Sequence, residues 1–221
     1  METAGYGLIE TLRVRQGRIP FLERHLARLA GSIAALGLPR PAQDPAALLR
    51  PFAGTEDAVL RLEVCDARAA LTVRELPPLF PPAVITASEP HQPYPHKTTL
   101  RDRFADAARE AEIAEADDAL LVTHDGAVAE GTVWSVFWWE AGHLRTPGLE
   151  LGILPGIGRA HVIELAKEVE EGRYSREALA GRSLFLTNGV RGVVPLASLD
   201  GVPVPVDSRT AQLAKRFWPE S

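Results

Sequence analysis

Three lysines and one asparagine stand out in this chain because arginine occupies almost every other basic position. The sequence has 21 arginines but only three lysines, Lys97, Lys167 and Lys215, and the single asparagine is Asn188. Arginine serves where a positive charge alone is needed, so a retained lysine is a candidate for chemistry that needs an amine. An amine whose pKa is lowered by burial or by nearby cations can attack a carbonyl carbon and form a Schiff base.

Lys97 is the best placed of the three lysines for such chemistry. It ends a segment with seven prolines between Pro77 and Pro95, and it directly precedes a predicted helix. Lys167 and Lys215 lie in charged helical stretches, where we expect solvated side chains. An ordinary loop lysine is the alternative for Lys97. A Schiff-base lysine is what pyridoxal phosphate enzymes require, which makes pyridoxal 5'-phosphate the candidate cofactor.

A glycine-rich turn at residues 152–159, GILPGIGR, opens into a predicted amphipathic helix. Exposed backbone amides at the start of a helix bind phosphate well. The glycine spacing fits neither the Walker A loop nor the dinucleotide fingerprint, so the turn is not a nucleotide motif. A tight turn without a ligand is the alternative interpretation.

Several polar side chains are placed where they could meet such a cofactor. Glu130 lies between two predicted strands, where a carboxylate could keep a pyridine nitrogen protonated, or simply face water. Residues 187–189, Thr-Asn-Gly, close an apolar strand and suit either a ligand site or an ordinary turn. Arg28 lies on the first predicted helix, from which its guanidinium could reach a phosphate or lie along the surface.

The elements that must position these residues form an α+β pattern in two lobes, which we place at residues 1–90 and 91–221. Hydrophobic periodicity and turn residues predict a strand pair within residues 6–19. The other predicted strands cover residues 58–64, 70–73, 83–86, 119–123, 127–129, 132–139, 183–187 and 193–196. The predicted helices cover residues 21–36, 45–52, 100–112, 157–170, 176–180 and 208–217.

Composition excludes several classes of protein. The chain has 221 residues, 46% of them hydrophobic, and a net charge of -5, so no basic field is available to hold nucleic acid. Cys65 is the only cysteine, which rules out an internal disulfide and a thiolate-rich metal site, and the six histidines show no metal-ligand spacing. Neither a membrane span nor a signal peptide is recognisable. We expect a soluble cytoplasmic protein that binds no metal, nucleic acid or membrane.

Taken together, these motifs resemble the class IV aminotransferase family, the fold-type IV enzymes of pyridoxal phosphate. Four blocks carry the resemblance in family order, and they span nearly the whole chain: residues 9–13 with 23–29, residues 96–99, residues 130–132, and residues 154–159 leading to 186–189. The resemblance implies a two-lobed α+β fold like that of D-amino-acid aminotransferase. It also implies a cofactor between the lobes, with most of its site in the C-terminal lobe.

The resemblance further implies a role for each candidate residue. Lys97 is similar to the lysine that forms the Schiff base, and Glu130 to the partner of the pyridine nitrogen. Arg28 is similar to the side-chain phosphate ligand. The remaining implied phosphate contacts are the amides of Ile157 and Gly158 and the turn Asn188-Gly189. Many relatives have threonine where this chain has Gly158, so one hydroxyl contact is absent while the amide contacts are kept.

Within the family, three activities are open: 4-amino-4-deoxychorismate lysis, which serves folate biosynthesis, branched-chain transamination and D-amino-acid transamination. Residues 97–101, KTTLR, and 188–192, NGVRG, look most like the lyase, with transaminase second and a non-catalytic ligand-binding member third. Arg101 and Arg191 are candidates for binding substrate carboxylates, although either could be a surface charge. The family implies a homodimer, for which the aromatic strand 134–139 offers apolar surface, and an association with an aminodeoxychorismate synthase.

Overall fold

The computed structural model describes residues 5–78 and 80–219, which divide into two compact units. The first unit runs to Pro78 and also includes the strip His96–Arg101, and the second unit contains the rest of the described chain. The boundary predicted at residue 90 therefore differs from the observed division. The physical reason is backbone pairing, because the strand at residues 83–86 belongs to a sheet of the second unit, whereas residues 97–99 bond to the first strand of the first unit.

The first unit is a three-stranded antiparallel sheet with helices packed on it. The strands are paired in the order β1, β2, β3. On β1 the residues that face the core alternate with the others, as a half-buried strand requires. The helices contribute apolar residues at three- and four-residue steps to the same core. The elements are β1 (Leu8–Val14), α1 (Leu22–Ala35), α2 (Pro45–Leu49) with a 3-10 turn at Arg50–Phe52, β2 (Ala58–Cys65) and β3 (Arg68–Arg74).

The strand pair predicted within residues 6–19 is half correct. β1 is present, but no second strand follows it in this range. Arg15 and Arg18 exchange only two backbone hydrogen bonds, at 2.8 and 3.0 Å, around a turn. β1 pairs instead with β2 over its whole length, from Leu8 opposite Val64 to Val14 opposite Ala58.

The second unit is built on two five-stranded sheets. One has the order β11-β10-β7-β8-β9 and the other β13-β12-β4-β5-β6. Its described helices are α3 (Ala105–Ile113), α4 (Ile157–Ala166) and α5 (Ser208–Arg216), with 3-10 turns at Asp102–Phe104, Leu149–Leu151 and Arg176–Leu179. The strands are β4 (Ala83–Thr86), β5 (Asp118–Val122), β6 (Val128–Gly131), β7 (Ser135–Glu140), β8 (His143–Pro147), β9 (Val169–Gly172), β10 (Ser183–Asn188), β11 (Gly192–Pro195), β12 (Ser198–Leu199) and β13 (Val202–Pro203). In the part of the chain that is described, no helix is long and apolar enough to cross a membrane.

The helix predicted over residues 157–170 is too long. α4 ends at Ala166, and Lys167 has a left-handed backbone with φ of 65° that turns the chain out of the helix. The next residues form β9, which pairs in parallel with β8, and neither of these strands was predicted. Lys167 is therefore at the end of a helix rather than inside one, although its side chain is exposed as expected.

The aromatic strand that was expected to supply a dimer interface is buried inside the second unit. Trp138 and Phe137 are fully shielded from solvent, and Trp134 is nearly so. Trp139 donates its indole N–H to Thr210 at 3.0 Å and is covered by the Arg209 guanidinium. β7 lies in the middle of its sheet, between β8 and β10, so its large side chains pack into the core and leave no apolar face for a partner.

Candidate functional site

Lys97 has a backbone fixed by β1, although it belongs to no strand. The Ile9 amide donates to the Lys97 carbonyl at 2.8 Å, and the Thr99 amide donates to the Gly7 carbonyl at 2.8 Å. The hydroxyl of Thr99 also accepts from the Gly7 amide at 2.8 Å. One residue earlier, the His96 ring lies 3.0 Å from the Ser32 hydroxyl on α1. These bonds hold the lysine in place at the end of a proline-rich segment that has little freedom of its own.

Lys97 is also the only lysine of the three that is not solvent-exposed. Its residue is partly buried, whereas Lys167 and Lys215 are exposed. Partial burial and a fixed backbone are what an amine nucleophile needs, because both reduce the water and the freedom around it. The choice of Lys97 and its chemical role stay a prediction, which its partial burial and fixed backbone favour.

A buried cluster of Glu10, His25 and Arg28 lies in the same unit. The Arg28 guanidinium donates two hydrogen bonds to the Glu10 carboxylate, from Nε at 2.8 Å and from NH2 at 2.6 Å. The His25 Nδ1 atom lies 2.6 Å from the same carboxylate. The side chains of Glu10, His25 and Arg28 are 3%, 2% and 12% exposed, so the ion pair between Glu10 and Arg28 has little water around it.

The protonation states in this cluster follow from burial and from the partners. Burial alone would raise the pKa of Glu10, but the hydrogen bonds from His25 and Arg28 outweigh it and hold that pKa below the ordinary value. Burial lowers the pKa of His25 further than the Glu10 carboxylate can raise it, and the positive charges of Arg28 and Lys97 act in the same direction as burial. His25 is therefore neutral at neutral pH. Because an ionised carboxylate only accepts, Nδ1 carries the ring proton.

The positive charge of Lys97 lowers the pKa of His25, as that of Arg28 does. Lys97 and Arg28, the two residues of this unit that were assigned to the cofactor, thus both act electrostatically on His25, and their roles stay predictions. Glu10 and His25 were not predicted. The signal was present, because Glu10 occupies the inward-facing position between Leu8 and Leu12 on β1, where an unpaired carboxylate would be costly.

Glu130 is at the end of β6 in the second unit and is 5% exposed. Its two carboxylate oxygens lie 3.3 and 3.2 Å from the Leu154 amide, which is in the turn that leads into α4. The alternative of a strand-end glutamate in water is therefore wrong. A buried carboxylate of this kind suits a cationic N–H of a bound group.

The start of α4 is packed against the end of β10. Gly156 caps the helix without any side-chain hydrogen bond to the first-turn amides. A Cβ atom on Gly158 would lie 2.7 Å from the carbonyl carbon of Asn188 and 2.8 Å from the Thr187 hydroxyl. Such distances are too short, so a side chain at position 158 is excluded by packing. Glycine is therefore the residue that fits at position 158 of this chain.

Asn188 folds the turn after β10 with its own side chain. Its Oδ1 atom accepts from the amides of Val190 at 3.0 Å and Arg191 at 2.8 Å. Its Nδ2 atom donates to the Val133 carbonyl at 3.3 Å. The turn therefore has a defined shape beside the start of α4.

The donors in this region fit a phosphate group. The first amides of an α-helix have no partner within the helix, and those of α4, at Ile157 and Gly158, receive no cap from a side chain. The Thr187 hydroxyl is fully buried beside Gly158 and has no hydrogen-bond partner among the described residues. An anionic oxygen would satisfy these groups. The assignment of Ile157, Gly158, Asn188 and Gly189 to the phosphate stays a prediction that this chemistry favours.

The two arginines proposed for substrate carboxylates are both partly buried. Arg101 ends the strip in the first unit and donates its amide to the Thr99 carbonyl at 2.8 Å. Arg191 lies in the Asn188 turn of the second unit. Their roles stay predictions. Among the described residues, no group of three or more His, Cys, Asp or Glu side chains has the arrangement of a metal site.

Comparison with known proteins gives matches over most of the chain. The family model for class IV amino-transferases matches residues 7–199. The chain is 39% identical over 90 residues to an aminodeoxychorismate lyase of Bacillus subtilis, a match that covers 38% of this chain and 31% of the relative. It is 34% identical over 105 residues to a branched-chain-amino-acid aminotransferase of Escherichia coli, covering 45% of this chain and 34% of the relative. The chain thus spans about a third of the length of these curated relatives.

Solved structures give the fold over nearly the full chain. A branched-chain aminotransferase from the archaeon Thermoproteus uzoniensis, solved with norvaline, superposes with a TM-score of 0.87. The match covers 97% of this chain and 84% of that one at 23% identity, so it supports the fold alone. The two-lobed α+β class predicted from the sequence is confirmed by this likeness.

Proposed function

Because the chain belongs to the class IV aminotransferase family, whose cofactor is pyridoxal 5'-phosphate, we propose that it splits 4-amino-4-deoxychorismate into 4-aminobenzoate and pyruvate. The observation that carries the choice of the lyase is the pair of strings 97–101 and 188–192, which resemble that branch of the family most. The 39% identity to the Bacillus subtilis lyase supports it. Because the match covers 31% of that relative, the activity of the whole protein is part of this proposal.

Lys97 is the residue that binds the cofactor covalently in this proposal and later removes a proton. When bound, pyridoxal phosphate supplies an electron sink for the substrate carbon that bears the amino group. The Lys97 amine, once released by the substrate amine, is the base for the proton on that carbon.

The other residues bind and orient the cofactor. Glu130 holds the proton on the pyridine nitrogen, which keeps the ring electron-poor. The amides of Ile157 and Gly158 and the turn Asn188-Gly189 hold the phosphate. In the first unit, Arg28 is fixed by Glu10 through two bonds and is the arginine that we assign to a phosphate. Arg101 and Arg191 bind the carboxylates of the substrate.

The lyase reaction balances without a second substrate. One proton leaves the ring carbon that bears the amino group, and the enolpyruvyl group leaves as the enol of pyruvate once its ether oxygen is protonated. The ring becomes aromatic, which drives the step forward, and the amino group stays on the product. No 2-oxo acid acceptor is consumed.

The experiment follows from this balance. The purified protein with pyridoxal phosphate is given aminodeoxychorismate alone, and release of 4-aminobenzoate and pyruvate is measured in equal amounts. A panel of amino acids with 2-oxo acids is the comparison. Turnover only in the presence of a 2-oxo acid, with ping-pong kinetics, would replace the lyase with a transaminase.

Transamination is the second candidate because branched-chain aminotransferases are also among the relatives, with 34% identity over 105 residues to that of E. coli. A non-catalytic binding protein is the third. Absence of the absorption band of a lysine-bound cofactor, even after reconstitution, would favour that third function over both enzymes.

We also propose that the protein forms a homodimer and associates with an aminodeoxychorismate synthase in the cytoplasm. The dimer surface must lie outside the aromatic strand, since that strand is buried within the second unit. Light scattering at micromolar concentration tests the dimer, and a monomer there would contradict it.

A further inference from the structure

Asp118 is a buried carboxylate that the proposed chemistry does not use. It is the first residue of β5 and is 5% exposed. Its Oδ1 atom accepts from the Thr132 hydroxyl at 2.5 Å. Its Oδ2 atom is buried and has no hydrogen-bond partner among the described residues. A donor from the turn between β6 and β7 thus binds this buried carboxylate.

The glycine in this turn is required by the same carboxylate. A Cβ atom on Gly131 would lie 2.7 Å from Oδ2 of Asp118, which leaves no room for a side chain. The turn itself is closed by a bond from the Gly131 amide to the Trp134 carbonyl at 2.8 Å. The sequence Glu130-Gly131-Thr132 therefore has a structural explanation that starts at Asp118, with glycine providing space and threonine providing a hydroxyl.

The turn at residues 131–134 connects two groups assigned to the cofactor. Glu130 immediately precedes it at the end of β6. On its other side, the Val133 carbonyl accepts from the Asn188 side chain, which folds the turn after β10. A shift of residues 131–134 would therefore move both the carboxylate of Glu130 and the amide group of Asn188.

Burying the Asp118 carboxylate costs free energy, so its position calls for a structural reason. Taking an ionised carboxylate out of water requires several hydrogen bonds in compensation. Burial raises the pKa of Asp118 above its ordinary value, although the bond from the Thr132 hydroxyl opposes this rise. Its neighbour Asp117 accepts the Ala83 amide at 2.8 Å while remaining exposed, so an acid that only ends a strand does not need burial.

We propose that Asp118 is a positioning residue, which fixes the turn at residues 131–134 and thereby orients Glu130 and Asn188 for the cofactor. The orientation for the cofactor rests on the proposed function. The fixing of the turn does not, and it can be measured on the chain without cofactor.

The test uses amide hydrogen exchange of the cofactor-free chain in three variants. Asp118→Ala removes the acceptor, Thr132→Val removes the hydroxyl donor with little change in shape, and Asp117→Ala is the matched control. We expect the first two variants to speed exchange at residues 131–134 and 188–191 by about tenfold or more, because bonds that hold these turns are lost. The control leaves exchange at both turns unchanged.

A second readout uses the bound cofactor. If Glu130 is displaced, the pH at which the cofactor absorbance changes shifts in Asp118→Ala and Thr132→Val but not in Asp117→Ala. Their effects should not add in the double variant, because both remove the same bond. The proposal would be overturned if the variants lost thermal stability while amide hydrogen exchange at both turns stayed unchanged. If Asp118→Ala does not fold, the result for Thr132→Val decides the test. A wild-type chain that binds no pyridoxal phosphate refutes the proposed function but leaves the exchange result to decide the role of Asp118 in the turn.

Discussion

His25 donates from Nδ1 to a Glu10 oxygen 2.6 Å away, at a place where neither side chain reaches solvent. The same carboxylate binds Arg28, so one glutamate on β1 fixes two residues of α1. The position of Arg28 is therefore set by Glu10 before any phosphate is bound. This relationship leads to two predictions on stability, and the cofactor residues lead to three more.

Glu10→Gln should lower the free energy of unfolding by about 3 kcal/mol, because it leaves the Arg28 charge without its buried partner. Urea denaturation measures the change. Glu63→Gln is the matched control on β2, since Glu63 pairs with Arg61 near the surface, and we expect a change below about 1 kcal/mol there. Equal decreases in the free energy of unfolding would show that the buried pair stabilises the fold no more than the surface pair does.

Stability should decrease as the pH falls, starting near 6.5. The folded chain holds the pKa of His25 below its ordinary 6.5 and that of Glu10 below its ordinary 4.5. For both groups the unfolded chain binds more protons in the window just below the ordinary value, so acid favours unfolding. The Glu10 contribution is complete above pH 4.5 and is lost as the pH passes below that value.

Urea titrations between pH 5 and 7.5 measure how the free energy of unfolding depends on pH. His25→Gln should flatten this pH dependence, while His143→Gln, at an exposed position, should not. The pKa of His91 is also lowered, with burial as the largest cause, so part of the slope persists in His25→Gln. A slope that is identical in wild type and His25→Gln would contradict the assignment.

Borohydride reduction of the protein with pyridoxal phosphate should attach the cofactor to Lys97. This lysine is partly buried with a fixed backbone, whereas the other two lysines are exposed. Peptide mapping by mass spectrometry locates the label. A label on Lys167 or Lys215 would refute the assignment.

Glu130→Gln should retain the cofactor but reduce turnover by about 100-fold or more, because a neutral amide does not keep the ring nitrogen protonated. Absorbance measures cofactor content, and product release measures turnover. Glu112→Gln, at an exposed position on α3, is the control. An unchanged turnover number in Glu130→Gln would show that Glu130 does not act on the cofactor.

Gly158→Ala should weaken cofactor binding and lower the melting temperature, because its Cβ would collide with the Asn188 backbone at 2.7 Å. Gly31→Ala is the matched control, since a Cβ there meets nothing within 4 Å on α1. At that position, alanine should stabilise the helix by about 0.5–1 kcal/mol. Thermal unfolding and titration with pyridoxal phosphate measure both effects, and tight binding by Gly158→Ala would disagree with the phosphate assignment.

Local patterns were sufficient to predict α1, because its apolar residues repeat at helical spacing and Gly37 follows it. They failed at Lys167, where a left-handed backbone ends α4 at a residue type that usually continues a helix. β9 depends on a parallel partner, β8, that is distant in sequence, and short-range periodicity carries no information about such a pair.

In the candidate site, too, some residues could be predicted from local sequence and others depend on distant partners. Lys97 and Glu130 could be named from residue type and neighbours. Asp118 could not, because its significance depends on a turn 13 to 16 residues later in the chain that folds back onto it. Glu10 was within reach of sequence reasoning, since a carboxylate in an inward-facing position of a strand demands a partner.

The strip His96–Arg101 has a consequence for how this protein can be divided or recombined. Lys97 folds with β1, yet it is encoded after the residues of β4, which fold with the second unit. An exchange of the first 78 residues between two related genes would transfer Glu10, His25 and Arg28 together but leave Lys97 behind. The lysine must then bond to a foreign β1, so the edge of that strand at Gly7 and Ile9 is a compatibility requirement for any chimera.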